Sequence, residues 1–234
     1  MGLSIIVFAE KSKAKEKKVA TNKIEETTTS SKQEVKEVLP GKIDDWQLVL
    51  VNEDHEITDE PSKLTALPNG YLVDERIYDA YQELSDSAEE AGFTLAVISA
   101  YRSIEAQQEV METDITGYEN QGFSTEEAKE KTMEYVTKPG HSEHHTGLAL
   151  DVLDTDWYNQ GKSLEEEFGE TKAGQWLAQN AYKHGFVIRY EKGKEAITDI
   201  NYEPWHIRYV GKENAKYMYE HQLVLEEYIE QLKK

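Results

Sequence analysis

Residues 139–151 read Pro139-Gly140-His141-Ser142-Glu143-His144-His145-Thr146-Gly147-Leu148-Ala149-Leu150-Asp151. Its first half is a turn-rich loop holding three of the chain's seven histidines, and its second half is an apolar run interrupted by an aspartate. A short apolar run from Leu148 to Leu153, entered through a glycine, suits a buried strand. Side chains alternate across a strand, so Ala149, Asp151 and Leu153 share one face while Leu148, Leu150 and Val152 share the other. Asp151 then lies in apolar surroundings beside a small residue. An unpaired carboxylate there is costly enough to demand a cation, a metal or several donors. A loop that reverses at Gly147 would bring the imidazole of His144 beside it, and such a pair can supply two ligands of a zinc ion.

Working outward, a third ligand is offered by Glu203-Pro204-Trp205-His206. Pro204 disfavours a helix here, which excludes the arrangement of two histidines on one helical turn. If Trp205–Val210 is extended, His206 and Arg208 point one way, Trp205 and Ile207 point into packing, and Glu203 approaches from the preceding bend. Two histidines, one carboxylate and an open fourth position form the pattern of catalytic zinc, whereas structural sites are closed by four protein ligands. Such an ion acidifies water and polarises a carbonyl, and a nearby glutamate can shuttle the proton, so the reaction class is amide hydrolysis. His55, His184 and His221 read as ordinary surface or core histidines. His145 follows His144 directly, so in an extended loop its ring faces the opposite side; His141 and His145 are both read as bystanders.

The remaining chain reads as scaffold. Trp46–Asn52 is β-rich and predicts a strand. Asp74 caps a predicted amphipathic helix through Ala91, with Ile77, Tyr78, Tyr81, Leu84 and Ala88 at three- and four-residue steps and Gly92 as its stop. Phe93–Tyr101 predicts a strand delivering Arg102 and Ser103 to its end. Ser103 can cap a helix through about residue 115, and Ser124 with Glu127 forms a capping box for another through about Val136. Thr171–His184 reads as a helix stopped by Gly185, Gly185–Tyr190 as a strand, and 212–232 as a helix with a break near His221. The interleaved elements and short links predict an α+β domain with a mostly antiparallel sheet and flanking helices. No Gly-rich phosphate loop follows any strand. The net charge of −20, from 46 acidic against 26 basic side chains, disfavours nucleic acid as a partner. With no cysteine there are no disulfides or thiolate ligands, so any metal rests on His, Asp or Glu.

At these residues the sequence resembles the VanY-type zinc carboxypeptidases of bacterial cell walls, including their LdcB-like members. These belong to a wider group with the D-Ala-D-Ala dipeptidases and the hedgehog fold. The resemblance rests on Tyr101-Arg102-Ser103 with Gln107, on Ser142-Glu143-His144 with Gly147, Ala149 and Asp151, and on Glu203-Pro204-Trp205-His206 with Arg208-Tyr209-Val210-Gly211. It implies that His144, Asp151 and His206 ligate zinc, that Glu203 is the general base, and that Arg102, Gln107 and Ser142 hold the substrate's terminal carboxylate and backbone. One departure is His145, where members often carry glutamine, bearing on the polarity and pH response of the loop's outer face. The implied activity is removal of a C-terminal D-alanine from peptidoglycan stem peptides, with either a D- or an L-centre before the scissile bond. Residues 113–125 and 155–172 are expected to contribute loops that shape the pocket.

That setting gives the N-terminus a reading. Residues 1–9 resemble the remnant of a signal peptide or membrane anchor, too short to span a bilayer, and residues 10–37 read as a disordered polar linker. Residues 38–234 would form the enzyme domain. The expectation is an extracellular, cell-wall-associated enzyme, secreted or tethered to the membrane through its N-terminus, and acting as a monomer. Two other readings keep the fold. One is a non-catalytic zinc module that binds wall peptide or a protein partner. The other is an endopeptidase of the same superfamily, against which Arg102 argues, since a carboxylate clamp makes sense only for exopeptidase action.

Overall fold

The computed structural model describes residues 38–234 apart from Thr58 and Ser62, so the expectations for the anchor remnant and the linker lie outside the described residues. The centre is a four-stranded sheet in the order β3, β4, β6, β5, comprising Leu95–Ser99, Ala149–Asp154, Glu203–Tyr209 and Phe186–Tyr190. All three pairings are antiparallel, as the interleaved pattern predicts. A two-stranded hairpin of β1 (Leu64–Ala66) and β2 (Leu72–Asp74) lies outside this sheet. It turns through Asn69-Gly70, and its three-residue strands are too short to show an alternating pattern.

The two faces of the sheet are apolar for different partners. On one side Leu150, Val152, Phe186 and Ile207 pack with Ile77, Tyr81 and Leu84, and with Leu177 from α5 (Lys172–Asn180). Tyr81 and Leu84 belong to α1 (Tyr78–Glu90), which is led in by a 3₁₀ turn over Glu75–Ile77 whose Asp74 cap accepts a hydrogen bond from Arg76 N. On the other side Val187 and Val210 pack with Ala215 and Met218 of α7 (Lys212–His221) and with Leu225, Tyr228 and Ile229 of α8 (Leu225–Leu232). The expected break falls at Gln222, whose φ of 54° ends α7 in the left-handed region. The Ser124–Glu127 capping box forms as read, but it opens the shorter α3 (Thr125–Thr132); α4 (Thr155–Asn159) and α6 (Glu195–Thr198) are short turns of helix.

Three expectations change. Trp46–Asn52 forms a 3₁₀ turn over Trp46–Leu48 and a single bridge between Asn52 and His55, not a strand. The carbonyls of Gln47 and Val49 are taken by the Arg208 guanidinium, at 3.2 and 2.6 Å, so no strand can pair with them. Trp46 lies over Tyr209, with ring centres 5.8 Å apart, and beneath the Arg76 guanidinium. The helix capped by Ser103 runs on to Asn120, so most of 113–125 is the end of this helix, α2 (Ile104–Asn120), and not a loop. Finally, Glu203 is the first residue of β6 and does not come from a preceding bend.

Candidate metal centre and active site

The sheet places the site by register. Asp151 on β4 and His206 on β6 are direct cross-strand partners. His144 comes from the loop before β4, where a 3₁₀ turn over Glu143–Thr146 starts at Ser142 and ends at Gly147. Gly147 has φ 66°, and a Cβ there would stand 2.8 Å from the backbone nitrogen of Asp74, so the reversal uses both the conformational freedom and the smallness of glycine. The turn folds His144 back onto β4, with Nε2 3.2 Å from Asp151 Oδ2. Its Nδ1–H donates to the Ala100 carbonyl at 2.8 Å, which fixes the tautomer and leaves Nε2 aimed inward.

Glu203 reaches the same centre because β6 is irregular. Ile188 and Tyr190 pair with Ile207 and Glu203, so two steps along β5 match four along β6. The extra residues bend β6 and bring the carboxylate Oε2 to 3.6 Å from His206 Nδ1. His144, Asp151, Glu203 and His206 are all buried.

These residues fit a metal ion. One ligand atom each from His144, Asp151 and His206 lie within 4.8 Å of one another. Asp151 Oδ1 stands 3.0 Å from His206 Nδ1, yet this buried oxygen makes no hydrogen bond. A carboxylate oxygen and an imidazole nitrogen that approach without hydrogen-bond alignment are placed to share a third atom. The charges ask for a cation as well. Burial opposes the His206 charge, but Asp151, Glu143 and Glu203 outweigh it and push its pKa up to about 9. Burial would raise Asp151, but His144 and His206 hold it well below the usual carboxylate range. Burial pushes Glu203 up to about 8, with Asp151 and Glu143 adding to the rise against the pull of His206 and Arg102. A buried carboxyl that exchanges its proton near neutrality is suited to acid–base work.

A cleft of about 370 Å³ opens onto this centre, and Arg102, Gln107, Ser142, Trp205 and the four residues above all line it. The Arg102 guanidinium donates to Gln107 Oε1 and Ser99 Oγ, both at 2.8 Å, and among the described residues it forms no ion pair. The surface salt bridge that an acidic protein could offer this arginine is therefore not formed. Gln107 is buried and its amide is engaged at both ends, since Nε2 donates to the Thr137 carbonyl at 2.6 Å. It is thus placed to aim Arg102. Ser142 Oγ accepts a long bond, 3.4 Å, from His144 N. The outer wall is built by Val110, Asp114 and Tyr118 of α2, by 135–137, and by Leu164 from the expected 155–172 segment.

His145 is a correction. It is fully buried and not on the outer face of the loop, because a 3₁₀ turn replaces the extended loop assumed for it. Its Nε2 accepts from Gly140 N at 3.1 Å and its Nδ1–H donates to the Arg102 carbonyl at 2.7 Å. It stays neutral, because burial lowers its pKa. With Arg102 N donating to the His144 carbonyl, the histidine loop holds the Arg102 backbone on both sides. His141 hydrogen-bonds the Asn52 carbonyl through Nδ1 at 2.8 Å and takes no place in the site.

Sequence reasoning missed what lies behind His206. Glu143 is buried and paired to Arg189 and Arg208, at 2.7 and 2.5 Å, and Arg189 also grips Glu226 of α8 through two bonds at 2.9 and 2.6 Å. These partners are far apart in sequence; the only signal was a cluster of charged residues on segments otherwise read as buried strands.

Taken together, the fold and site fit a metal-dependent hydrolase. Known proteins agree. The family model described as VanY, D-alanyl-D-alanine carboxypeptidase, matches residues 70–212. A D-alanyl-D-alanine carboxypeptidase of Enterococcus faecalis is 36% identical over 212 residues, covering 90% of this chain and 74% of its own. A solved vancomycin-resistance D,D-pentapeptidase VanY in complex with Zn(II) is similar at 38% identity and a TM-score of 0.71, over 79% of this chain and 99% of that one. The LdcB LD-carboxypeptidase is similar at 37% identity and a TM-score of 0.68, over 79% and 86%. The chain belongs to the VanY family of D-alanyl-D-alanine carboxypeptidases.

Proposed function

We propose that this protein is a zinc carboxypeptidase that removes the C-terminal D-alanine from peptidoglycan stem peptides outside the cell membrane. One observation carries the reading: the three-ligand centre and a guanidinium without an anionic partner among the described residues share a single cleft. Zinc held by His144, Asp151 and His206 would supply Lewis-acid polarisation of the scissile carbonyl and acidify a water molecule. Arg102, aimed by Gln107 and Ser99, receives the terminal carboxylate through charge-assisted hydrogen bonds. Ser142, buried in the lining of the same cleft, donates its hydroxyl to the peptide backbone. Glu203 takes the proton of the attacking water and returns it to the departing amine of D-alanine. Trp205 is buried beside His206 and serves to pack the ligand, not to present a substrate platform.

The intact ligand set and base argue against a non-catalytic module, and the clamp argues against endopeptidase action. The relatives include both a D,D-pentapeptidase and an LD-carboxypeptidase, so stems of both kinds are the substrates to offer. The test is a panel of tri-, tetra- and pentapeptide stems with D-alanine release as the readout. Release that stops with a chelator and returns with zinc is the expected result; no release from any stem with zinc present overturns the reading. The domain limits, with 1–9 as anchor or signal remnant, 10–37 as tether and 38–234 as enzyme, belong to the same proposal. Among the described residues no helix is long and apolar enough to cross a membrane.

A further inference from the structure

We infer that Glu143 is a positioning residue for the metal centre, a carboxylate that holds His206 from behind so that Nδ1 is presented to the ion. The inference rests on the zinc-carboxypeptidase reading of the site. His206 uses its two nitrogens in opposite directions. Nδ1 faces Asp151 and Glu203, while Nε2 stands 3.5 Å from Glu143 Oε2. Both Nε2 and Oε2 are buried, and neither makes a hydrogen bond to the other or to any described group, so each stands as the other's available partner. An imidazole whose far nitrogen meets a carboxylate has its tautomer fixed and its near nitrogen made more basic toward a metal.

Glu143 is itself immobilised to do this. Its Oε1 accepts from Arg189 Nε and Arg208 Nη1, both side chains fully buried. Arg208 is anchored in turn on the Gln47 and Val49 carbonyls, and Arg189 on Glu226 of α8. Two cations and two carboxylates balance, so the charge of Glu143 is fully paired in the interior. His144 obtains its orientation from a neutral backbone carbonyl, whereas His206 obtains it from an ion whose position depends on segments at both ends of the folded domain.

The test is made on the full chain with zinc itself as the probe. Zinc affinity is measured by competition with a chromophoric chelator, and the ligand field by the visible absorption of the cobalt(II)-substituted protein. Wild type is compared with Glu143→Gln and with the double variant Glu143→Met/Arg208→Met. The double variant removes one charge of each sign, leaves the Arg189–Glu226 pair whole and replaces an ion pair by apolar volume, a change that buried pairs often tolerate. Both variants are expected to bind zinc roughly 10- to 100-fold more weakly and to shift the cobalt bands. The double variant should still unfold cooperatively, and it decides the matter if Glu143→Gln does not fold. A cooperatively folded double variant with wild-type zinc affinity and an unchanged cobalt spectrum would show the network to be structural only, and the inference would fail. Wild-type protein that binds no zinc would instead remove the functional reading on which it rests.

Discussion

At the scale of single residues, the site separates two roles that carboxylates can play by giving them different neighbours. Asp151 faces two imidazoles and is held ionised, while in the metal-free protein burial and the neighbouring carboxylates of Asp151 and Glu143 raise Glu203 to about 8. Glu203→Gln should keep zinc affinity close to wild type and lower kcat by about 10²–10⁴, the usual contribution of a general acid–base. Unimpaired turnover would take Glu203 out of that role. Arg102→Ala should lower kcat/KM by roughly 10- to 100-fold on stems with a free terminal carboxylate, since hydrogen bonds to charged groups are worth about 1.5–3 kcal/mol. Its effect should be small on the same stems amidated at the C-terminus; an equal loss on both would show that the clamp is not reading a carboxylate. That His144, Asp151 and His206 come together was legible because metal chemistry restricts residue type and because strand alternation isolates Asp151 in an apolar run. The role of Glu143 was not, because its partners at 189, 206 and 208 meet it only through the β5–β6 pairing.

At the scale of elements, local signals were read well and competition for backbone groups was not. The Ser103 cap, the Ser124–Glu127 box and the break near His221 are all contained in a few adjacent residues, and all form. Trp46–Asn52 has strand composition, but Arg208, more than 150 positions later, takes its carbonyls. The irregular pairing that puts Glu203 on the metal side of β6 likewise depends on β5, which sequence alternation along β6 cannot reveal. The turn between the histidine loop and β4 gives a prediction at this scale. Gly147→Ala places a side chain at φ 66° and against the Asp74 backbone. The conformation alone costs about 1–2 kcal/mol, so with the overlap the midpoint should fall by roughly 4–8 °C. Zinc affinity should fall with it, because His144 is carried by the same turn. Unaltered melting and zinc binding would contradict the account of this reversal.

At the scale of the whole molecule, the buried charges make stability depend on pH and on metal together. In metal-free protein His206 has its pKa raised to about 9, so its stabilising contribution is full below about pH 6.5 and is lost as pH rises through 9. Glu203, raised to about 8, holds a proton that the unfolded chain sheds near 4.5, so stability falls between those values as well. Asp151 and Glu143 act oppositely. Their pKa values are depressed, so their contributions are present above pH 3.8 and 4.5 and fade as the medium becomes more acid. Urea midpoints of chelator-treated protein should therefore decline as pH rises from about 6.5 toward 9. Zinc should reverse that decline, because ligands must lose protons to bind it and binding contributes about 4 kcal/mol at a thousandfold excess over Kd. A zinc-induced shift that does not grow from pH 5.5 to 8 would contradict the protonation assigned to the centre. The decisive assay is D-alanine release from defined tetra- and pentapeptide stems by the purified chain, with chelator and after zinc is restored. The account predicts release from at least one stem, abolished by the chelator, recovered with zinc and absent in Glu203→Gln. Release that persists in the chelator, or no release from any stem with zinc present, would contradict it.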